Sequence, residues 1–341
     1  MCTRLVYLGP EGRVLTARSM DWKRDIGTSI WTLPRGIERT GEVGPASMDW
    51  TADYGSVVAT AYDVATTDGL NEAGLAANLL WLPESAYPAW DAETPALSIS
   101  LWAQYMLDSF PTVADAVQHV RDEDFVVVTD QVPGEDRLAA LHLSLSDATG
   151  DSAIMEYVDG ELVVHHDRDY QVMTNSPTFD KQLALAEYWN EIGGTVMLPG
   201  TNRPADRFAR ARFYVGAIPQ VEDRREATAN VFSVIRNVSV PHGIATPDAP
   251  HISSTRWRTV ADHKDGIYYF ESALMPNTFW LDLDEVDFGP DADARTLQLG
   301  PEQSNTFAGD VSDELVATEP FSFLGQQPAS AIGDGGEETT G

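Results

Sequence analysis

Apolar and polar residues alternate with a period of two at the start of the chain. Thr3 to Leu8 and Arg13 to Ser19, joined by Gly9-Pro10-Glu11-Gly12, therefore read as a hairpin. Gly27 to Leu33, Val57 to Tyr62 and Leu75 to Leu80 give further strands, the last two parted by the turn-like run Thr67-Asp68-Gly69-Leu70-Asn71-Glu72-Ala73-Gly74. The period changes at Leu97 to Phe110, which reads as a mostly buried helix begun near Pro95. A shorter helix opens at Pro111 to Val117. Alternation resumes over Leu138 to Ser146, Ser152 to Val158 and Leu162 to His166, with Asp159-Gly160 the strongest hairpin signal in the chain. Tyr170 to Thr174 adds a short strand before Asn175-Ser176-Pro177. Helical patterns at Asp180 to Ile192, Pro204 to Val215 and Arg224 to Asn237 precede strands at Thr255 to Val260, Gly266 to Glu271 and Thr278 to Leu283. Hairpin-linked strands, then helices, then strands again predict an α+β protein with antiparallel sheets covered by helices. Alternating βαβ units are absent, so a doubly wound parallel sheet is not expected. One domain over residues 1–326 is expected, with 327–341, rich in Gly, Ser and acids, as a disordered acidic tail.

Composition narrows the function classes. The formal net charge is −31, and only three of the 22 basic residues are Lys (Lys23, Lys181 and Lys264). The acids are spread along the chain, which excludes the clustered basic stripe of a nucleic-acid-binding protein and disfavours an anionic membrane surface. Two readings of the charge stand: a hydrated acidic surface suited to high salt, where screening removes self-repulsion, or the Arg preference of a high-GC genome. No run approaches the ~20 apolar residues of a membrane span, and no secretory signal pattern is present. With one cysteine among 341 residues no intramolecular disulfide is possible, which suits a reducing cytoplasm.

That cysteine is Cys2. An initiator Met is normally trimmed before a small residue, and trimming would leave a thiol and a free amine on one Cα. The amine titrates near ~7.7–8.0 and the thiol near ~8.5, so the amine can serve as base for its own nucleophile. By position alone, Cys2 is equally an incidental residue in a frayed terminus. Arg18 and Asp21 end the second strand of a short hairpin and so return to the neighbourhood of Cys2. A guanidinium there favours a thiolate and a carboxylate can hold an amine, although an exposed Arg–Asp pair at a strand end has the same signature. Asn175 offers a neutral donor of the kind that builds an oxyanion hole, or simply opens a turn before Pro177. Arg203, Arg207 and Arg210, at i, i+4 and i+7, read as an ordinary solvated helix face. Nucleophile-elbow, Walker, dinucleotide-binding and zincin motifs are all missing. His165 and His166 point to opposite faces of a predicted strand and cannot chelate one metal together. No metal or cofactor is expected.

Five motifs in order resemble the choloylglycine hydrolase family of bile salt hydrolases and penicillin V acylases, within the N-terminal nucleophile (Ntn) hydrolases. They are Met1-Cys2-Thr3, Arg18-x-x-Asp21-Trp22, Gly69-Leu70-Asn71-Glu72-x-Gly74-Leu75, Met173-Thr174-Asn175-Ser176-Pro177-x-Phe179, and Leu198-Pro199-Gly200 with Arg207-Phe208. The resemblance implies an αββα four-layer sandwich with Cys2 on an inner strand. It implies Cys2 as nucleophile, its α-amine as base, Arg18 and Asp21 tuning the pair, and Arg207 as a further active-site arginine. Asn175 would stabilise the oxyanion with a backbone N–H aligned to Trp81. Because thiol and amine are joined through two carbons, their proton transfer calls for a bridging water.

Trp22 and Trp81 resemble the branch in which paired Trp line the acyl pocket, a wall suited to an aromatic or fatty acyl group; core packing is the other reading of the pair. The resemblance further implies a homotetramer. The expected activity is hydrolysis of a linear amide through a thioester on Cys2, with penicillin V-like phenoxyacetyl amides, N-acyl homoserine lactones and conjugated bile salts as candidate substrates. Bile salts fit a salt-adapted source least. A catalytically silent relative that binds acyl amides is the alternative from another class.

Overall fold

The structure is a computed structural model describing residues 1–244, 253–275, 277–300 and 306–325; the expected tail at 327–341 lies outside the described residues. Strand β1 (Cys2–Leu8) and strand β2 (Val14–Trp22) form the expected hairpin, with Cys2 opposite Met20 and Arg4 opposite Arg18. They sit inside a seven-stranded sheet ordered Val172–Met173, β1, β2, Ser254–Asp262, Ile267–Ser272, Thr278–Asp282 and Gly309–Asp310, antiparallel except for its last pair. A second, nine-stranded sheet is antiparallel throughout. Its central strands are Ser56–Ala61, Ala65–Asn71, Ala76–Trp81 and Leu141–Ser146.

Among the described residues five α-helices complete the layers: α1 (Trp102–Ser109), α2 (Val113–Asp122), α3 (Phe179–Ile192), α4 (Pro204–Ala217) and α5 (Arg224–Asn237). Helix α4 packs on β1 and α5 on β2, while α1 packs on Ala65–Asn71 and Ala76–Trp81. Two apolar cores follow from this stacking, one around the first sheet and its facing strands, the other beneath α1 and α2. The architecture is therefore the αββα sandwich, and a strand covered on both faces is buried at nearly every position, as β1 is, its polar Thr3 and Arg4 included.

Alternation along β1 and β2 decides what each face carries. Arg4 and Arg18 reach the second sheet, donating to Leu145 O (2.9 Å) and Leu79 O (2.8 Å). Thr3, Tyr7 and Asp21 face the helical layer, where they meet Arg207, Pro219 O and Arg207 respectively.

Two readings of the pattern are corrected. The run from Thr67 to Gly74 is mostly the strand Ala65–Asn71, not a separator, and the turn occupies only Glu72–Gly74. Its Asp68 and Gly69 look like turn residues, but Asp68 is satisfied inside the core and Gly69 lies under α1. The helix expected from Leu97 begins later. Ala96–Ser98 pairs in parallel with Val126–Val128, and a 3-10 turn over Ile99–Leu101 leads into α1.

Candidate active site

The hairpin register brings Cys2, Met20 and Arg18 to one face of the first sheet. Arg18 Nη2 lies 3.7 Å from Cys2 Sγ and 3.6 Å from Met20 Sδ. Its guanidinium is held from three sides: Leu79 O accepts from Nη2, Trp257 stacks at 4.6 Å, and Asp68 Oδ2 lies 3.8 Å from Nη1. Asp68 accepts hydrogen bonds from Asn78 Nδ2 (2.7 Å) and Tyr268 OH. Burial pushes the Asp68 carboxyl above the usual carboxylate range, against the pull of Arg18 and these donors.

Asn175 and Arg207 organise the other side of Cys2. The Cys2 backbone nitrogen donates to Asn175 Oδ1 at 2.7 Å, and Arg207 Nη2 donates to the same oxygen at 2.8 Å. Arg207 Nη1 also donates to Cys2 O (2.6 Å) and stands 3.8 Å from Asp21 Oδ2. Of the solvated face expected for Arg203, Arg207 and Arg210, only Arg203, at the N-cap of α4, is exposed. Arg207 is completely buried, and Arg210 is buried where it donates to Pro199 O and Thr201 O. Helix α4 points these side chains into the sandwich because it lies directly on β1.

Asp21 accepts from Thr255 Oγ1 (2.6 Å) through Oδ1, while its buried Oδ2 has no hydrogen-bond partner among the described residues. Its carbonyl accepts from the Met1 nitrogen at 2.7 Å. Burial lowers the pKa of that terminal ammonium, with Cys2 and Asp21 pulling the other way. Asn175 Nδ2 donates to Trp81 O at 2.6 Å, which uses one of its two amide protons.

Beside Cys2 opens an almost wholly apolar cavity of about 110 Å³, lined among others by Trp22, Tyr62, Leu79, Trp81 and Val132. The Trp22 and Trp81 rings stand 5.5 Å apart, so both tryptophans line a pocket and are not simply core. Arg137 lies over both rings, 4.2 Å from Trp81 and 5.3 Å from Trp22. Thus all seven residues singled out in the sequence converge here. Asp68, Tyr268 and Arg137 had no sequence signal: Asp68 sits in a turn-like run, Tyr268 in a generic strand, and Arg137 in a charged loop.

The family model for linear amide C–N hydrolases, choloylglycine hydrolase family, matches residues 2–298. Penicillin V acylase of Pectobacterium atrosepticum is 53% identical over 346 residues, covering 95% of this chain and 92% of that protein. The structure of penicillin V acylase from Agrobacterium tumefaciens superposes with a TM-score of 0.90 at 60% identity, covering 95% of this chain and all of that one. A bile salt hydrolase/transferase of Clostridium perfringens is 27% identical over 80% of this chain and 89% of its own length. With the sequence match spanning most of the chain and the sandwich shared, this protein belongs to the choloylglycine hydrolase family and hydrolyses carbon–nitrogen bonds in linear amides.

Proposed function

We propose that the chain is a penicillin V acylase-type enzyme working through an acyl-thioester on Cys2. The observation that carries this reading is the convergence on one residue. The Cys2 thiol faces the Arg18 guanidinium beside an apolar pocket, and its nitrogen is already held by Asn175. Removal of Met1 would turn that nitrogen into a free amine without moving it. The thiol proton then passes to the amine through a bridging water, and Sγ bonds to the substrate carbonyl carbon as charge shifts to the carbonyl oxygen. The second Asn175 amide proton and the backbone at Trp81 receive the oxyanion. Collapse breaks the C–N bond, the leaving nitrogen takes its proton from the α-ammonium, and water releases the acid from the thioester. Arg207 holds the terminus through Cys2 O, and Asp21 Oδ2, without a hydrogen-bond partner among the described residues, is free to receive the ammonium that Met1 removal exposes.

The two tryptophans suit a phenoxyacetyl ring. A second reading, acylase activity on N-acyl homoserine lactones, is favoured by the hydrocarbon remainder of the pocket, where Ile26, Val64, Ile99 and Leu141 accommodate an alkyl chain. Assembly as a homotetramer is supported by apolar side chains left exposed on α3 and just after it: Leu185, Tyr188, Val196 and Met197. A cytoplasmic site is supported by the lone, unpaired cysteine.

The decisive experiment pairs intact mass with turnover. The purified enzyme should lack Met1 and, mixed with penicillin V and quenched, should gain the mass of a phenoxyacetyl group. Cys2→Ala should lower kcat by about 10³-fold or more. A retained Met1, or a Cys2→Ala variant with full activity, sinks the proposal.

A further inference from the structure

The pocket beside Cys2 borrows one wall from a distant part of the chain. Leu324 lines it together with Val64, Ile99 and Ser100. Its backbone is tied in place at both polar atoms. The Leu324 N–H donates to Val64 O (2.8 Å), and its carbonyl accepts from Ser98 Oγ (2.7 Å) and Ser100 Oγ (2.6 Å). Both serines are buried, with their hydroxyls 3.0 Å apart, and this carbonyl is the acceptor they share. The residues around it are equally fixed. Phe321 packs on Trp31 at 5.2 Å, Arg39 covers Phe323 at 5.2 Å, and a Cβ at Gly325 would fall 2.4 Å from Glu42 O.

Leu324 also lines a second, solvent-open cavity of about 630 Å³, bordered by Asp130–Asp136 and Gly325. Asp130, Gln131, Val132 and Pro133 border both spaces, as Leu324 does, so Leu324 stands where the two adjoin. The family match ends at residue 298, which places this wall outside the part of the chain that defines the family.

We infer that Leu324 is a specificity-determining residue: its side chain closes the acyl pocket where the two cavities adjoin and thereby sets the length of acyl group accepted. The inference rests on reading this pocket as the acyl site of a Cys2 enzyme. A smaller residue joins the pocket to the larger cavity and admits longer chains; a bulkier one shortens the pocket.

The test measures kcat/KM for hexanoyl and dodecanoyl homoserine lactone and for penicillin V, in the wild type and in Leu324→Ala and Leu324→Phe. Leu324→Ala should raise the dodecanoyl-to-hexanoyl ratio about tenfold or more, the scale at which a few methylenes discriminate in an apolar pocket. Leu324→Phe should lower the same ratio and, being volume-increasing, checks the idea even where the alanine variant unfolds. A ratio that stays within twofold of wild type in both variants overturns the inference, as does a uniform loss on all three substrates. Failure of the underlying reading looks different: wild type and Cys2→Ala would then be indistinguishable on every substrate.

Discussion

Asn175 is held by a buried hydrogen-bonded pair, His142 and Glu156, that does not line the pocket. His142 Nε2 donates to the carbonyl of Thr174 (2.8 Å), its Nδ1 faces Glu156 Oε1 (2.9 Å), and Glu156 Oε2 accepts from the Phe179 N–H (2.9 Å). One pair therefore pins the segment from Thr174 to Phe179 at both ends, while Gln182 donates to the carbonyls of Asn175 and Pro177 between them. Burial alone would raise the Glu156 carboxyl, but hydrogen bonds from His142 and His165 overcome it and hold the group at about 2. A carboxylate with a depressed folded pKa contributes fully above its ordinary range, and that contribution is lost as pH falls toward about 2. Glu156→Gln should then cost about 3 kcal/mol at neutral pH, the scale for removing one partner of a buried pair. Denaturant melts should show the gap to wild type shrinking steadily below pH ~4.3, the ordinary Glu value; a gap constant down to pH ~2.5 would refute the assignment. Asn175 was legible in the sequence because it stands two residues before a proline in a recognisable motif. His142 and Glu156 were not, because each sits in an ordinary alternating strand and only tertiary pairing gives them a purpose.

At the scale of elements, the strands written in plain alternation were readable and those carrying polar core residues were not. β1 appears within a residue of its sequence reading, β2 starts within a residue of it but runs three residues further to Trp22, and Asp159-Gly160 does form the expected hairpin turn, with positive φ at both residues. The strand Ala65–Asn71 hid because its central residues, Asp68 and Gly69, are both poor strand formers. Gly69 is there for clearance. A Cβ would lie 2.7 Å from Leu107 Cδ1 of α1 and 2.8 Å from Val57 O on the neighbouring strand. The Leu107 methyl can yield, whereas the Val57 carbonyl is fixed within the sheet, so Gly69→Ala should destabilise by about 1–3 kcal/mol, the usual cost of overpacking. Because Asp68 is the next residue, the same variant should disturb the support of Arg18 and lower kcat more than it raises KM. Thermal melts with steady-state kinetics would check both; a neutral or stabilised variant would show that α1 is not pressed onto this strand. The helix start at Leu97 was misplaced for a related reason: Ala96–Ser98 is claimed by pairing with Val126–Val128, which no local pattern announces.

For the whole molecule, charge divides into two populations that respond differently to salt. Arg18, Asp21, Asp68 and Arg207 are fully buried, and Arg39–Asp108 at 2.7 Å is nearly so. Screening by dissolved ions reaches such groups weakly. Asp147, Glu156 and Asp262 are buried as well, and the other described acids, within a net charge of −31, reach the surface with few lysines to offset them. Self-repulsion among them destabilises the compact state, and it weakens as the Debye length contracts from ~10 Å at 0.1 M to ~3 Å at 1 M salt. Stability should therefore climb with KCl up to about 1 M, while the site geometry built from buried pairs persists. The expected result is a Tm rising by several degrees from low salt to ~1 M KCl, with KM for an uncharged homoserine lactone nearly constant. An uncharged osmolyte at matched osmolality serves as the control, since excluded solutes stabilise proteins without screening. An equal rise in both solutes would assign the effect to exclusion, and a Tm indifferent to KCl would leave the acidic surface without a salt-linked role. Activity lost at low salt while the fold remains intact would contradict the division itself, because it would mean that surface charge reaches the buried pairs around Cys2.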